Sequence, residues 1–312
     1  MRGTEGNARF GRTRARSVTW IAAVVALLAF VGSGCGGSSA ASHSDTTIAL
    51  LLSGGDRPDS LQRSYFAAEI ADTCDGCTLI SRDAGGDPAM QREQGEAALG
   101  KGAEVLIVDP VHPKSATAIA EEAHARGVPV LSYEHLIEDA PVDHYVAFDA
   151  IRAGELQAEA LAESLRQKGE PSGPVLAIYG ALLDPRTALL KTGAHIGLDL
   201  AGVELIREYD TIAWSEDRAR QQLLEGVMEL GKGFAGVYAS SDSLAGGAIK
   251  GMGEVAIDPA EKPTTGGGAT LAGLRRILSG EQLMTTYEPA RELAELGARI
   301  ALDLAAGEEI PT

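Results

Sequence analysis

The residues able to do chemistry cluster where apolar runs stop. VPVLSYEHLI, Val128 to Ile137, begins as a strand of buried type and ends in an acid and an imidazole, Glu134 and His135. In a parallel sheet, that carboxyl end faces the crevice where α/β proteins hold ligands. Other apolar runs end in the same way. Ser53–Arg57, Asp109 and Asp149 do so in the first half of the chain, and Asp184–Arg186, Asp210–Trp214 and Ser241–Asp242 in the second. Acceptors, a guanidinium and an indole at strand ends suit recognition of a small polar molecule.

Bond-breaking chemistry finds less support. The chain has no G-x-S-x-G elbow, no H-E-x-x-H helix and no paired zinc-type cysteines. Its histidines, at 43, 112, 124, 135, 144 and 195, do not stand at ligand spacing from one another. The expectation is a protein that is not an enzyme and needs neither metal nor cofactor. Two phosphate-loop look-alikes, GVMELGKG (226–233) and GKGFAG (231–236), lie between a helix and a strand. A phosphate loop needs the opposite order, so that helix N-terminal amides meet the phosphate. Cys74 and Cys77 form CDGC between a helix near 60–71 and a strand near 78–82. A redox C-x-x-C follows a strand and opens a helix, so a local disulfide is expected here instead.

The elements that position these groups alternate. TIALLL, TLISR, VLIVD, PVLSY and the short YVAF are separated by helical stretches near 60–71, 88–100 and 114–126. The pattern restarts after Ala150, with PVLAIY, VELIREYD and GVYAS between helices near 151–167, 185–200, 215–230 and 243–252. Such alternation predicts parallel sheets with helices on both faces. ALGKGAEVLIVD (98–109) and ELGKGFAGVYASSD (229–242) echo one another, which predicts two lobes built on one plan.

Composition bounds the partners. Of 312 residues 45% are hydrophobic, enough for a sizeable core. Net charge is −17. Residues 1–34 hold five arginines against Glu5; setting them aside leaves 22 basic and 43 acidic side chains, a net of −21. A surface that acidic repels phosphate backbones, so no nucleic-acid partner is expected. The first segment reads as an address: basic MRGTEGNARFGRTRAR, then VTWIAAVVALLAFV, about fourteen apolar residues and short for a membrane span. GSGC and the polar GGSSAASHSD follow. This resembles a bacterial lipoprotein signal covering residues 1–34, with Cys35 as the lipidated residue and 35–46 as a flexible tether. An ordinary signal peptide and an uncleaved anchor are the alternatives, and all three place the folded part outside the cytoplasm.

VLIVDPV, PVLSYEHLI, YVAFDAIRAGELQAEAL, ASSDSLAGGAIKGM and TLAGLRRILSGEQLMTTYEP follow one another along the chain. In that order they resemble the landmarks of the type I periplasmic sugar-binding proteins, the xylose-binding members above all. The likeness runs from about Thr47 to about Pro311. It implies a type I periplasmic-binding-protein-like α/β fold, with two Rossmann-like lobes and parallel sheets joined by a hinge. The N-terminal lobe would comprise 47–149 plus 289–312, and the C-terminal lobe 150–288. The crossings would fall near Phe148–Ala150 and Tyr287–Pro289, with helix 290–306 returning to the first lobe. The implied function is capture of a monosaccharide-like or other small polar ligand between the lobes, and delivery to an ABC permease, from a lipid anchor on the cell membrane.

Matching the family's pattern residue by residue makes Arg57, Glu134, His135, Asp149, Trp214 and Asp242 the ligand-binding residues. Several positions depart from that pattern. Tyr-Asp-Arg is Tyr133-Glu134-His135 here, Phe-Asp-Asn is Phe148-Asp149-Ala150, and Ser-Asn-Asp is Ser240-Ser241-Asp242. Gly-Gln-Asp is Gly266-Gly267-Gly268, and Glu288 stands in place of a lysine. A buried hydroxyl left without its partner costs about 1–3 kcal/mol, whereas micromolar binding is worth only about 8 kcal/mol in all. The expected ligand therefore differs from xylose: a neutral polyol or a cation, in preference to an acidic sugar. The triple glycine and the short C-terminus suggest the rival reading, a degenerate binding fold acting as a cell-surface receptor or sensor.

Overall fold

The structure, a computed structural model, describes residues 45–54, 59–182 and 184–310. Arg57 and Cys35 lie outside the described residues. Five parallel strands form the first sheet: β1 (Thr47–Leu52), β2 (Thr78–Asp83), β3 (Val105–Val108), β4 (Val130–Tyr133) and β5 (His144–Val146), in the order β2-β1-β3-β4-β5. The second sheet holds β6 (Val175–Ala181), β7 (Leu205–Thr211) and β8 (Gly236–Ala239), in the order β7-β6-β8. Beyond β8 it continues through single parallel bridges, Val237 to Thr264 and Gly267 to Thr286. The second sheet thus repeats the order of the first, as the LGKG echo predicts. Only the cap detail differs between the two echoes. Gly231 ends its helix directly with φ 72°, whereas in the first copy Lys101 is the cap and Gly102, at φ 82°, makes the turn.

Nine helices of the described residues connect these strands: α1 (Asp59–Thr73), α2 (Pro88–Gly100), α3 (Thr117–Ala125), α4 (Ala150–Gln167), α5 (Pro185–Ala201), α6 (Glu216–Leu230), α7 (Asp242–Glu254), α8 (Leu271–Ser279) and α9 (Ala290–Ala306). Their boundaries follow local chemistry. Asp87 and Asp184 each precede a proline and accept a backbone N–H of the first turn, from Ala89 at 2.8 Å and Arg186 at 2.9 Å. Gly202, Gly280 and Gly307 end α5, α8 and α9 in the left-handed conformation.

β1 is apolar and buried because helices cover both of its faces. One face packs on Phe66 and Ile70 of α1 and on Leu293, Ala298 and Leu302 of α9. The other packs on Ala98 and Leu99 of α2 and Ile119 and Ala120 of α3. The second sheet is sandwiched likewise, by α4 and α5 on one side and α6 and α7 on the other. α4 and α5 touch backbone to backbone: a Cβ on Gly154 would collide with the Leu190 carbonyl, and one on Gly193 with that of Ile151. The chain passes from β5 through Phe148 and Asp149 into α4, and from Thr286 through Tyr287–Pro289 into α9. Cys74 and Cys77 form a disulfide between α1 and β2, with their Cα atoms 5.5 Å apart.

Candidate functional site

The carboxyl ends of the two sheets line one cleft of about 480 Å³. Ser53 follows β1, Asp109 follows β3, and Glu134 and His135 follow β4; Asp184, Arg186 and Trp214 stand beyond β6 and β7, and Ser240 follows β8.

The turn after β4 is built to aim His135. Glu134 takes φ 58°, a left-handed conformation that usually falls to glycine and costs a residue with a Cβ about 1 kcal/mol or more. Local bonds hold it there. Its N–H donates to the Val146 carbonyl at 2.9 Å, its carbonyl accepts from the Tyr145 hydroxyl at 3.2 Å, and its Oε1 accepts from Gln62 Nε2 at 2.6 Å. Ser132 Oγ donates to the His135 carbonyl at 2.7 Å and accepts from the Ile137 N–H at 2.9 Å. The imidazole is thereby returned to Asp109, with Nδ1 2.8 Å from Oδ1.

Asp109 is a buried carboxylate with its acceptors engaged. Its Oδ2 accepts a hydrogen bond from Ser53 Oγ at 2.6 Å, and its carbonyl accepts from the buried Gln91 at 2.7 Å. In the trio Ser53–Asp109–His135 the serine proton points to the carboxylate, so the imidazole is not placed to activate it as a nucleophile. The hydrogen bond to Asp109 holds the imidazole above its ordinary value of 6.5; burial opposes this, and the charges of Asp109, Asp184 and Glu134 add to it. Asp109, Glu134 and His135 also offer ligand atoms within 4.8 Å of one another, a convergence the sequence spacing did not reveal. A metal there would have to replace the proton shared by Asp109 and His135.

On the opposite wall, Trp214 Nε1 donates to Asp184 Oδ2 at 3.0 Å. The ring lies over Gly180, where a Cβ would enter its six-membered ring, and it packs against Ala150, Ala153 and Leu190. Arg186 Nη2 is paired with Glu288 Oε1, so the acid standing in place of a lysine neutralises the guanidinium. Sequence reading placed Asp184 and Arg186 at a strand end but did not choose them as ligand-binding residues. It gave no signal for Gln62, Thr270 or Thr286, which also line the cleft.

Two expected ligand residues have their carboxylates engaged by the protein itself. Asp149 is exposed, is absent from the cleft lining, and caps α4 by accepting the Arg152 N–H at 2.9 Å. It serves the helix because the chain must turn from β5 into α4 at that residue. Asp242 lies at the cleft floor but is only 1% exposed. Its carboxylate accepts from Gln282 Nε2 at 2.7 Å, Thr270 N at 2.7 Å and Thr270 Oγ1 at 2.9 Å, which ties the 266–270 loop to α7. The cap of α7 is Ser241, whose Oγ accepts the Leu244 N–H at 3.3 Å.

Two of the three glycines are packing requirements, and the third, Gly268, takes φ 101°. A Cβ on Gly266 would strike Gln282 and Asp242, and one on Gly267 would come within 2.8 Å of Gln157 Nε2 and Thr286 Oγ1. Gln157 is the strut below: it accepts from the Tyr238 hydroxyl at 2.5 Å and donates to the Gly266 carbonyl at 2.9 Å.

Two parallel α/β sheets, with a polar cleft between their carboxyl ends and two crossings beside it, define a bilobal binding protein. The chain matches the periplasmic binding protein domain over residues 63–309. It is 30% identical over 244 residues to the D-xylose-binding periplasmic protein of Escherichia coli, covering 75% of this chain and 70% of that protein. Its counterpart in Haemophilus influenzae is 31% identical over 246 residues, with the same shares covered. Among solved structures, the periplasmic ribose ABC transporter protein of Conexibacter woesei superposes with a TM-score of 0.80 at 20% identity, over 86% of this chain and 89% of that one. The chain belongs to the periplasmic binding protein family and has its type I fold, as the sequence landmarks implied.

Proposed function

We propose that this protein is an extracytoplasmic solute-binding lipoprotein that captures a sugar or polyol in the cleft and hands it to the permease of an ABC importer. The observation that carries this reading is the polar cleft, where acceptors from both sheets face an indole and a guanidinium within 480 Å³. Vicinal hydroxyls match paired carboxylate and guanidinium groups, and an indole covers a sugar's apolar face. The two D-xylose-binding relatives support a polyhydroxylated ligand. In this reading residues 1–34 are removed as a signal, Cys35 is acylated, and 35–46 tether the protein to the membrane. The lobes 47–149 plus 289–312 and 150–288 close about Phe148–Ala150 and Tyr287–Pro289. Glu134, His135, Trp214 and Arg57 contact ligand, and closure strips water from the polar contacts.

The test is a thermal-shift screen of residues 36–312 against pentoses, hexoses and polyols. A ligand at about a hundred times its dissociation constant adds about 2.7 kcal/mol, or roughly 5–10 °C in a domain of this size. A cooperatively folded sample that no sugar or polyol stabilises would contradict the proposal.

A further inference from the structure

Among the described residues, the charged groups lining the cleft are one-sided. Asp109, Glu134, Asp184, Asp242 and Glu288 stand against His135 and Arg186. Both cations are already engaged, His135 by Asp109 and Arg186 by Glu288. Asp184 is held by two neutral donors, the Trp214 indole and the Arg186 backbone N–H. The Asp242 carboxylate is held by neutral donors as well, while the Arg276 guanidinium donates to the Asp242 backbone carbonyl. A separate observation points to a ligand in this cleft. Ser240 lines it, is 4% exposed, and its Oγ has no hydrogen-bond partner among the described residues. A buried hydroxyl of that kind needs a partner.

We propose that the ligand is a cationic polyol, an amino sugar or amino-alditol whose ammonium binds on the Asp184 side of the cleft while its hydroxyls meet Ser240 and Glu134. This deepens the proposed function and rests on it. An ammonium supplies three donors and no acceptor, which matches walls rich in carboxylate oxygens. A neutral sugar leaves the excess negative charge uncompensated as closure removes water, and a sugar acid adds to it. The elevated proton affinity of His135, caused by Asp109 and strengthened by Asp184 and Glu134, shows that these carboxylates already favour a positive charge between them.

The test is calorimetric titration of residues 36–312 with matched series differing only in charge: glucamine, sorbitol and gluconate, then glucosamine, glucose and glucuronate, with arabinose- and xylose-derived sets beside them. In at least one series the cationic member is expected to bind ten-fold or more tighter than its neutral parent, and the acid weakest. Asp184→Asn removes the charge and keeps one of the two oxygens, so either the Arg186 N–H or the Trp214 indole retains its acceptor. The variant is expected to erase most of the cation's advantage while changing neutral binding less. Neutral members that bind as tightly as the cations, or more so, overturn this inference and leave the proposed function standing. A folded protein that binds no member of any series overturns both.

Discussion

The His135 imidazole and the Asp109 carboxylate, 26 residues apart in sequence, meet at 2.8 Å where β3 and β4 end. The pair joins two strand ends into one wall of the cleft. It also makes that wall sensitive to pH, because an imidazole, unlike a guanidinium, can lose its charge, and the hydrogen bond to Asp109 raises the pH at which this one does.

The sign follows from linkage. His135 is raised in the folded protein above its ordinary 6.5. Its contribution to stability is complete below the unfolded value and is lost as pH rises through the folded one. Denaturant unfolding from pH 6 to pH 8.5 is expected to show a decline that His135→Gln reduces. An unchanged slope in that variant would show that the pair does not act as described.

The elements were legible because their boundaries are local. Asp87-Pro88 and Asp184-Pro185 announce helix starts, and Gly307 announces the stop of α9. The strand ends carrying Asp109, Glu134, His135 and Trp214 were legible for the same reason. Sequence cannot show which carboxylates are consumed by their own surroundings. Asp149 and Asp242 sit at equally polar strand ends, yet one caps α4 and the other holds Thr270 and Gln282. Gln62 was out of reach for another reason. It is buried on α1, 72 residues from the Glu134 it contacts, and only the folded sheet brings them together.

Gln157 supports the Gly266–Gly267 backbone from below. Gln157→Leu leaves the buried Tyr238 hydroxyl without its acceptor, at about 1–3 kcal/mol, and takes one of two donors from the Gly266 carbonyl, which keeps the Thr286 N–H. Urea unfolding is expected to show a loss of that order, with weakened ligand affinity in the same variant. A loss below about 0.5 kcal/mol, typical of surface changes, would rule out the strut role.

The approach of α4 to α5 is set by Gly154 and Gly193. Gly193→Ala places a methyl group into the Ile151 carbonyl, and overpacking of this kind costs about 1–3 kcal/mol or more. The effect is expected in stability, with secondary structure retained by circular dichroism. A variant as stable as the parent would mean that the helices can separate freely.

Gly180 gives Trp214 its seat. Gly180→Ala inserts a methyl group where the ring lies, so the indole must leave Asp184 and the cleft wall. Ligand affinity is expected to fall ten-fold or more, with a change in the emission maximum of the unliganded protein. Unaltered emission together with unaltered affinity would remove Trp214 from the site.

Trp214 is the only tryptophan of residues 36–312, so its fluorescence reports on the cleft alone. The most direct measurement is a titration of that signal with the sugar or polyol that most raises the melting temperature. The account requires a saturable, single-site change whose midpoint matches the calorimetric dissociation constant. A ligand that stabilises the protein and binds tightly, yet leaves the Trp214 signal untouched at saturation, would place binding outside the cleft and contradict the account.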